Sequence, residues 1–390
     1  MKQFVQVPTS DIAWLCAALS DALAGKTLLM PLAQGTEPLS QAAVISDEVR
    51  AEAAVLIRTS GSTGEPKTVA LSAAALLENA RASLAELGGD GQWLVTLPLN
   101  LVSGLGQLVR SHISGTEPVF ALNADANEII TRAAQLTHPR RYMSVVPVQL
   151  ARLLDLAETD ATALQTLQEF AAILVGGGPT SLQLRQRAYD LGVNIVRTYG
   201  STETAGGCVY DGVEIGNSRV RIRNGEVQLA GANLALGYLT EDGRISVQDR
   251  FITDEKTGVR WYRTGDTGEL LGGMLQITGR ADRVFISGGV NVSLDSVETV
   301  LTKLYGDGSV AAVAVPDAYW GERLVVVHRN NDDTENSKLE ESEVTAELVR
   351  ELGRAATPAR FISLETMPTL AGGKPDYQAL TALAAARISG

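Results

Sequence analysis

Short apolar runs alternate with Ala/Leu/Gln-rich amphipathic stretches over much of this chain, and no other feature narrows its fold as sharply. AAVLIRTS (53–60), QWLVTLP, EPVFALN, YMSVVP and AAILVGG read as strands, and the segments between them read as helices. Among these, residues 71–87 carry Ser72 as the candidate N-cap, and an earlier amphipathic helix spans 11–24. Strands alternating with helices call for a parallel or mixed sheet covered on both faces. The texture changes after Gly212: VRIRNGEVQLAG, LALGYL, RWYRTGDTGELL and MLQITGR are short strands separated by Gly- and Asp-bearing turns, a smaller antiparallel region. ADRVFISGGVNV, a helix from Leu294, VAAVAVP, LVVVHRN, another helix and FISLE then make a compact α+β tail, with 330–338 (NNDDTENSK) as a solvated turn. The expected class is α/β: a large N-terminal domain (1–279) of mixed or parallel sheets flanked by helices with a small antiparallel region, a connection at 280–282, and a small α+β C-terminal domain (283–390).

Composition removes several function classes. An apolar fraction of 45% with 20% charged residues is that of a globular chain. The net charge of −12 repels nucleic acid and anionic membrane on average, so any anionic substrate must be met by local donors. Cys16 and Cys208 are the only cysteines and there are three histidines, which excludes a disulfide framework and leaves a structural zinc site without ligands. The apolar stretch 12–19 is too short and too acidic in its flanks for a signal peptide, and no run approaches a membrane span. The expectation is a soluble protein of a reducing cytoplasm.

TSGSTGEPKTV (59–69) lies between a predicted strand and a predicted helix. Gly61 and Gly64 allow close backbone approach to an anion, Thr59, Ser60, Ser62 and Thr63 add hydroxyls, and Lys67 adds a positive charge. That is polyphosphate chemistry. A Walker A loop is the obvious rival, but Pro66 stands where that motif requires glycine.

The loop resembles the [TS]SG[ST]TGxPK signature of the adenylate-forming superfamily of acyl-CoA synthetases, adenylation domains and luciferases. The other motifs of that family follow in order. RTYGSTETAGG (197–207) resembles YGxTE: Tyr199 offers a flat face to adenine, Gly200 and Ser201 continue the nucleotide wall, Thr202 can donate to the AMP phosphate, and Glu203 can hold Mg²⁺ with help from Thr63. In AAILVGGGPTS (171–181), the resemblance places Gly177, Gly178 and Pro179 against the nucleotide and Gly176 against the acyl group. YRTGDTGEL (262–270) resembles YxTGD, whose Asp266 can accept from both ribose hydroxyls. In ITGRADRVFISGGVNVSLDSVE (277–298), the resemblance makes Arg280 a ribose-contacting catalytic residue, Asp282 the hinge of a mobile small domain, and Ser287, Gly288 and Gly289 the passage for the pantetheine arm of CoA. PTLAGGKPD (368–376) resembles the C-terminal PxxxxGK motif, whose lysine, here Lys374, bridges the carboxylate and the α-phosphate.

The resemblance implies ATP, Mg²⁺ and CoA as cofactors and a small carboxylic acid as substrate. LPLNLVSGLGQLVRS (97–111) and the continuation CVYDG (208–212) resemble a compact branch of o-succinylbenzoate–CoA ligases of menaquinone biosynthesis, as does the shortness of the segment before Thr59. Leu101 departs from that branch, which usually has histidine there. Ser103, Gly104, Gly176 and Thr204 are the expected acyl contacts. For the second carboxylate of o-succinylbenzoate, the candidates are Ser103, Thr204 and Arg110, the last being equally readable as a surface helix residue. Another aryl- or acyl-CoA ligase, or a stand-alone adenylation enzyme serving a carrier protein, remains open within the class. A catalytically silent nucleotide-binding module is disfavoured by Lys67, Glu203, Asp266, Arg280 and Lys374 together.

Overall fold

The computed structural model describes residues 2–39, 45–59, 67–122, 124–317, 319–330, 340–370 and 374–388. Several of its helices begin where the sequence supplies a side-chain cap. Asp11 accepts from Trp14 N and Ser72 from Ala75 N, each satisfying a first-turn donor that the helix itself leaves unpaired.

The chain opens with β1 (Gln3–Pro8), α1 (Ile12–Leu23), β2 (Thr27–Leu32), α2 (Asp47–Glu52), β3 (Val55–Thr59), β4 (Lys67–Leu71) and α3 (Ala73–Glu86). The strands align as β1-β2-β3-β4, parallel as far as β3 and antiparallel from β3 to β4. β5 (Gln92–Val95), α4 (Val102–Ser114), β6 (Val119–Phe120), α5 (Ala126–Ala133), β7 (Arg141–Val145), α6 (Pro147–Thr159), α7 (Ala161–Gln168), β8 (Phe170–Val175), α8 (Leu182–Asp190), β9 (Ile195–Ser201), β10 (Gly206–Tyr210) and β11 (Val213–Glu214) form the second sheet. Its order is β11-β10-β9-β8-β7-β5-β6, parallel except at the β9–β10–β11 edge. The sequence expectation of a mixed sheet clad by helices is met here, because runs such as Leu94–Val95 and Ile173–Val175 are buried from both faces.

β12 (Arg219–Arg223), β13 (Glu226–Ala230), β14 (Gly237–Leu239), β15 (Ile245–Ser246), β16 (Phe251–Thr253), β17 (Arg260–Leu271) and β18 (Met274–Arg280) follow. Most make the expected antiparallel sheet, in the order β12-β13-β17-β16 with β18 on β17. One placement corrects the sequence reading. β14, from the LALGYL segment, leaves that sheet and pairs with β4, Tyr238 opposite Val69. β1 and β2, with a proline in each, carry no alternation that marked them beforehand, yet both join the first sheet.

The remainder holds β19 (Val284–Ser287), β20 (Val290–Ser293), α9 (Leu294–Tyr305), β21 (Val310–Asp317), β22 (Gly321–Arg329), α10 (Glu341–Leu352), β23 (Arg360–Leu364) and α11 (Tyr377–Ile388). Its apolar clusters, around Phe285, Val297, Leu324 and Leu348 and around Val313, Val325 and Leu380, draw only on residues from 285 onward. The larger clusters around Leu15, Trp93 and Ile173 draw only on residues before 263. The α/β class with a large N-terminal and a small α+β C-terminal part is therefore borne out.

Candidate active site

Several expected site residues come together at the ends of β8, β9 and the β17–β18 hairpin. In β9, Tyr199 donates from its hydroxyl to Asp266 Oδ2 (2.6 Å). The antiparallel register sets Asp266 opposite Arg280, and Arg280 donates to Asp266 Oδ1 (3.2 Å) while gripping both oxygens of Asp282 (2.7 and 2.8 Å). Both oxygens of Asp266 are thus held, and each keeps a further lone pair for a ribose hydroxyl. Burial pushes the Asp266 carboxyl above the ordinary carboxylate value, against the opposing pull of Tyr199 and Arg280. The Arg280 guanidinium is raised, chiefly by its hydrogen bonds to Asp282.

Lys374 reaches this group from the C-terminal part. Its Cε lies 3.7 Å from where a β-carbon on Gly177 would stand, and Asp266, Glu203 and Arg280 all act on its charge. The residue stands on an open stretch of chain, yet enough protein crowds its ammonium that burial sets the balance and lowers its pKa. Gly178 and Pro179 continue the same turn, exposed at the surface of the cleft.

Glu203 lies in the turn after β9, in the short helical segment Thr202–Thr204. Tyr238 donates to its Oε1 (2.9 Å), and Lys67 Nζ sits 5.3 Å from the centre of the Tyr238 ring. The displaced strand β14 therefore connects Glu203 to the base of the phosphate loop, a link with no sequence signal. Thr59 donates to Lys67 O (3.2 Å), closing the mouth of that loop. Ser60, Gly61, Ser62, Thr63 and Gly64 lie outside the described residues. Among the described residues no group of three or more His, Cys, Asp or Glu side chains could hold a metal ion. A single carboxylate, such as Glu203 with one oxygen unpaired among the described residues, is nonetheless the donor set by which magnesium is held when phosphates supply the rest.

Other expected residues have framework roles. Thr204 is fully buried, its hydroxyl donating to Gly206 O (2.7 Å) and accepting from Ser201 N (2.9 Å). Its carbonyl accepts from Asn233 (2.9 Å) and Asn79 (3.3 Å), two amides the sequence reading did not single out. Gly200 and Gly176 lie where β10 and Thr198 approach closely. The Ser287–Gly289 turn joins β19 to β20 and packs on Trp320, whose carbonyl accepts from Gly288 N (2.9 Å). Among the described residues no hydrogen bond or ion pair joins that turn to Glu203, Asp266 or Lys374. Cys208 is a core group, its thiol pushed up to about 12 by burial.

Gly104 and Ser103 open α4. A β-carbon on Gly104 would stand 2.2 Å from Pro98 O, so only glycine lets the helix settle on that backbone. Two turns on, the alternative left open for Arg110 closes: it is no surface residue. It is 6% exposed, its guanidinium lies 4.4 Å from the Trp93 ring centre, and its Nε has no hydrogen-bond partner. Among the described residues it forms no ion pair, and burial lowers its pKa although Tyr210 acts in the opposite direction. A guanidinium stays charged even so.

A carboxylate pinned by a tyrosine and an arginine, a second carboxylate bonded to Tyr238 beside Lys67, and the inserted Lys374 gather at one place, and the chain belongs to the AMP-binding enzyme family, whose sequence profile matches residues 18–239. Among its relatives is the probable 2-succinylbenzoate–CoA ligase of Mycobacterium tuberculosis, 34% identical over 379 residues and 95% of each chain. The 2-succinylbenzoate–CoA ligase of Escherichia coli is 32% identical over 83% of this chain and 67% of its own. The fold matches o-succinylbenzoate CoA synthetase from Bacillus subtilis in complex with the acyl-adenylate intermediate OSB-AMP (TM-score 0.69, 24% identity, 94% of this chain and 80% of that one). It also matches Klebsiella oxytoca NpsA (TM-score 0.76, 16% identity, 98% and 89%). The chain is an AMP-forming acid–CoA ligase.

Proposed function

We propose that the protein is an o-succinylbenzoate–CoA ligase of menaquinone biosynthesis. The single observation that carries the choice of acid is Arg110, a buried cation without an anionic partner among the described residues. Burying an uncompensated charge costs several kcal/mol. A second carboxylate arriving with the substrate offsets that cost, and a monocarboxylic acid does not. The relatives named 2-succinylbenzoate–CoA ligase support the same reading.

In the first half-reaction a carboxylate oxygen of the acid bonds to the α-phosphorus of ATP and the bond to pyrophosphate breaks. Asp266 orients the ribose, with Tyr199 and Arg280 fixing its two oxygens. Thr59, Ser60, Gly61, Ser62, Thr63, Gly64 and Lys67 hold the phosphates, Thr202 the α-phosphate, and Gly176, Gly177, Gly178, Pro179, Gly200 and Ser201 the walls around adenine and acid. Lys374 carries positive charge to the oxygens that gain negative charge. Glu203 and Thr63 would hold Mg²⁺, which when bound screens the phosphate charge. In the second half-reaction the thiol of CoA, entering along Ser287, Gly288 and Gly289, attacks the acyl carbon and AMP leaves. Residues 283–390 turn about Asp282 in a 280–282 hinge against residues 1–279, so one cleft serves both steps. Among the described residues no helix is long and apolar enough to cross a membrane. With its free Cys16 and Cys208, the enzyme works in the reducing cytoplasm.

The test is pyrophosphate release with o-succinylbenzoate and with an analogue lacking its ring carboxylate, for the native protein and Arg110→Met. The native protein should prefer the diacid by about two orders of magnitude, the worth of a buried charge pair. Arg110→Met should lose the preference while unfolding at a higher temperature, since the apo protein no longer buries a lone charge. Equal use of both acids by the native protein would sink the substrate reading.

A further inference from the structure

The two parts of the chain meet at a second point besides Lys374. The turn between α9 and β21 runs Gly306, Asp307, Gly308, Ser309, with both glycines at positive φ (84° and 73°). Asp307 Oδ2 accepts a hydrogen bond from Ser181 Oγ at 2.6 Å. Ser181 is also the N-cap of α8, accepting from Leu184 N at 3.1 Å. Gly308 is seated on α6: a β-carbon there would stand 2.5 Å from Val148 Cγ2.

The location gives this contact its meaning. α6 and α8 are the helices that follow the paired parallel strands β7 and β8, and between β8 and α8 lies the turn 176–179. A β-carbon on Gly177 would meet Val146 Cγ1 at 3.4 Å and Lys374 Cε at 3.7 Å, and one on Gly178 would meet Pro147 Cγ at 3.8 Å. One small-domain turn thus holds the starts of the two helices that frame the 176–179 turn, while Lys374, from the same domain, touches that turn itself. A carboxylate at the start of α8 is further favoured by the helix dipole.

We propose that Asp307, through Ser181, is a positioning residue that latches the small domain in the arrangement placing Lys374 at the cleft, and that this latch must open before the thiol step. The inference rests on the two-step reading above and goes beyond it by naming the contact that selects one of the two arrangements. Ser181 is no clean target, because its loss also uncaps α8. Among the described residues Asp307 caps no helix.

The experiment compares the native chain with Asp307→Ala and Asp307→Asn, which keeps the side-chain volume. Three quantities are read: pyrophosphate release with the acid the native protein accepts, CoA-thioester formation from preformed acyl-adenylate, and hydrogen exchange of backbone amides. Asp307→Ala should slow adenylation by about tenfold, the scale of one charge-assisted hydrogen bond. Asp307→Asn should slow it less. Thioester formation should hold its rate or rise, and exchange should quicken both at 306–309 and around Lys374. Unchanged adenylation, an equal fall in both steps, or faster exchange confined to 306–309 would each overturn the latch. If the native protein ignored o-succinylbenzoate, the substrate reading would fail on that assay alone, while hydrogen exchange would still decide the latch.

Discussion

Lys374 and Asp266 are two charges whose surroundings move their titration towards each other. Burial lowers the lysine, so its ammonium is lost at a pH below the ordinary lysine value of 10.5. Burial raises the aspartate, so it takes up a proton at a pH above the ordinary 3.8 as the solution is acidified. In the proposed mechanism adenylation uses Lys374 charged and Asp266 ionised. Its rate should therefore fall on the alkaline side as pH rises through the lowered lysine pKa, and on the acid side as pH falls through the raised aspartate pKa. Pyrophosphate release measured across pH checks this, with thioester formation from preformed acyl-adenylate as the control. That control should lack the alkaline limb, and the same alkaline limb in both steps would remove Lys374 from its assigned role. Both residues were legible because each stands in a short motif. Arg110 was only half legible: the residue could be named as a candidate, but its burial depends on α3, α4, β5 and β10 closing round it.

At the scale of elements, periodicity revealed most of what could be revealed. The strand–helix alternation of the second sheet and the cap at Ser72 follow from local sequence, because each records a requirement that neighbouring residues satisfy. The destination of β14 does not. Three residues can pair with either of two sheets, and the partners that seat them here, Val69 opposite Tyr238 and Glu203 at its hydroxyl, lie more than thirty positions away along the chain. α4 shows the reverse case, a helix whose seat hangs on one position. Gly104→Ala forces a β-carbon into the Pro98 carbonyl, backbone against backbone, so the helix must lift. We expect a loss of about 1–3 kcal/mol in urea unfolding, the range for overpacked sites. A raised KM for the acid with an unaltered KM for ATP should accompany it, because Ser103 and Arg110 ride on the same helix. A raised KM for both substrates would show that the damage spreads beyond the acid side.

For the whole molecule, two separate cores are what the proposed two-step use of one cleft requires. The apolar clusters on either side of residues 280–282 share no member, so relative movement disturbs neither core. Among the described residues the two parts are joined by Arg280 N donating to Asp295 Oδ2 (2.6 Å), Ser181 to Asp307, the seat of Gly308 on Val148 and the approach of Lys374 to Gly177. Contacts of this kind can be exchanged at modest cost, whereas a shared apolar core could not. The sequence could not announce contacts such as Ser181 to Asp307 or Lys374 to Gly177, since these join residues more than a hundred positions apart. Lys374→Ala tests the arrangement as a unit. It removes one charge that the small domain supplies to the first step, and removal of a single transition-state donor of this kind costs about two to three orders of magnitude in rate. Pyrophosphate release should fall by that factor, while thioester formation from preformed acyl-adenylate should stay within a fewfold of native, because the turned domain carries Lys374 away from the cleft. A comparable fall in both steps would mean that the lysine supports the fold of the cleft rather than the chemistry of one half-reaction, and the two-arrangement account would then lose its chief support.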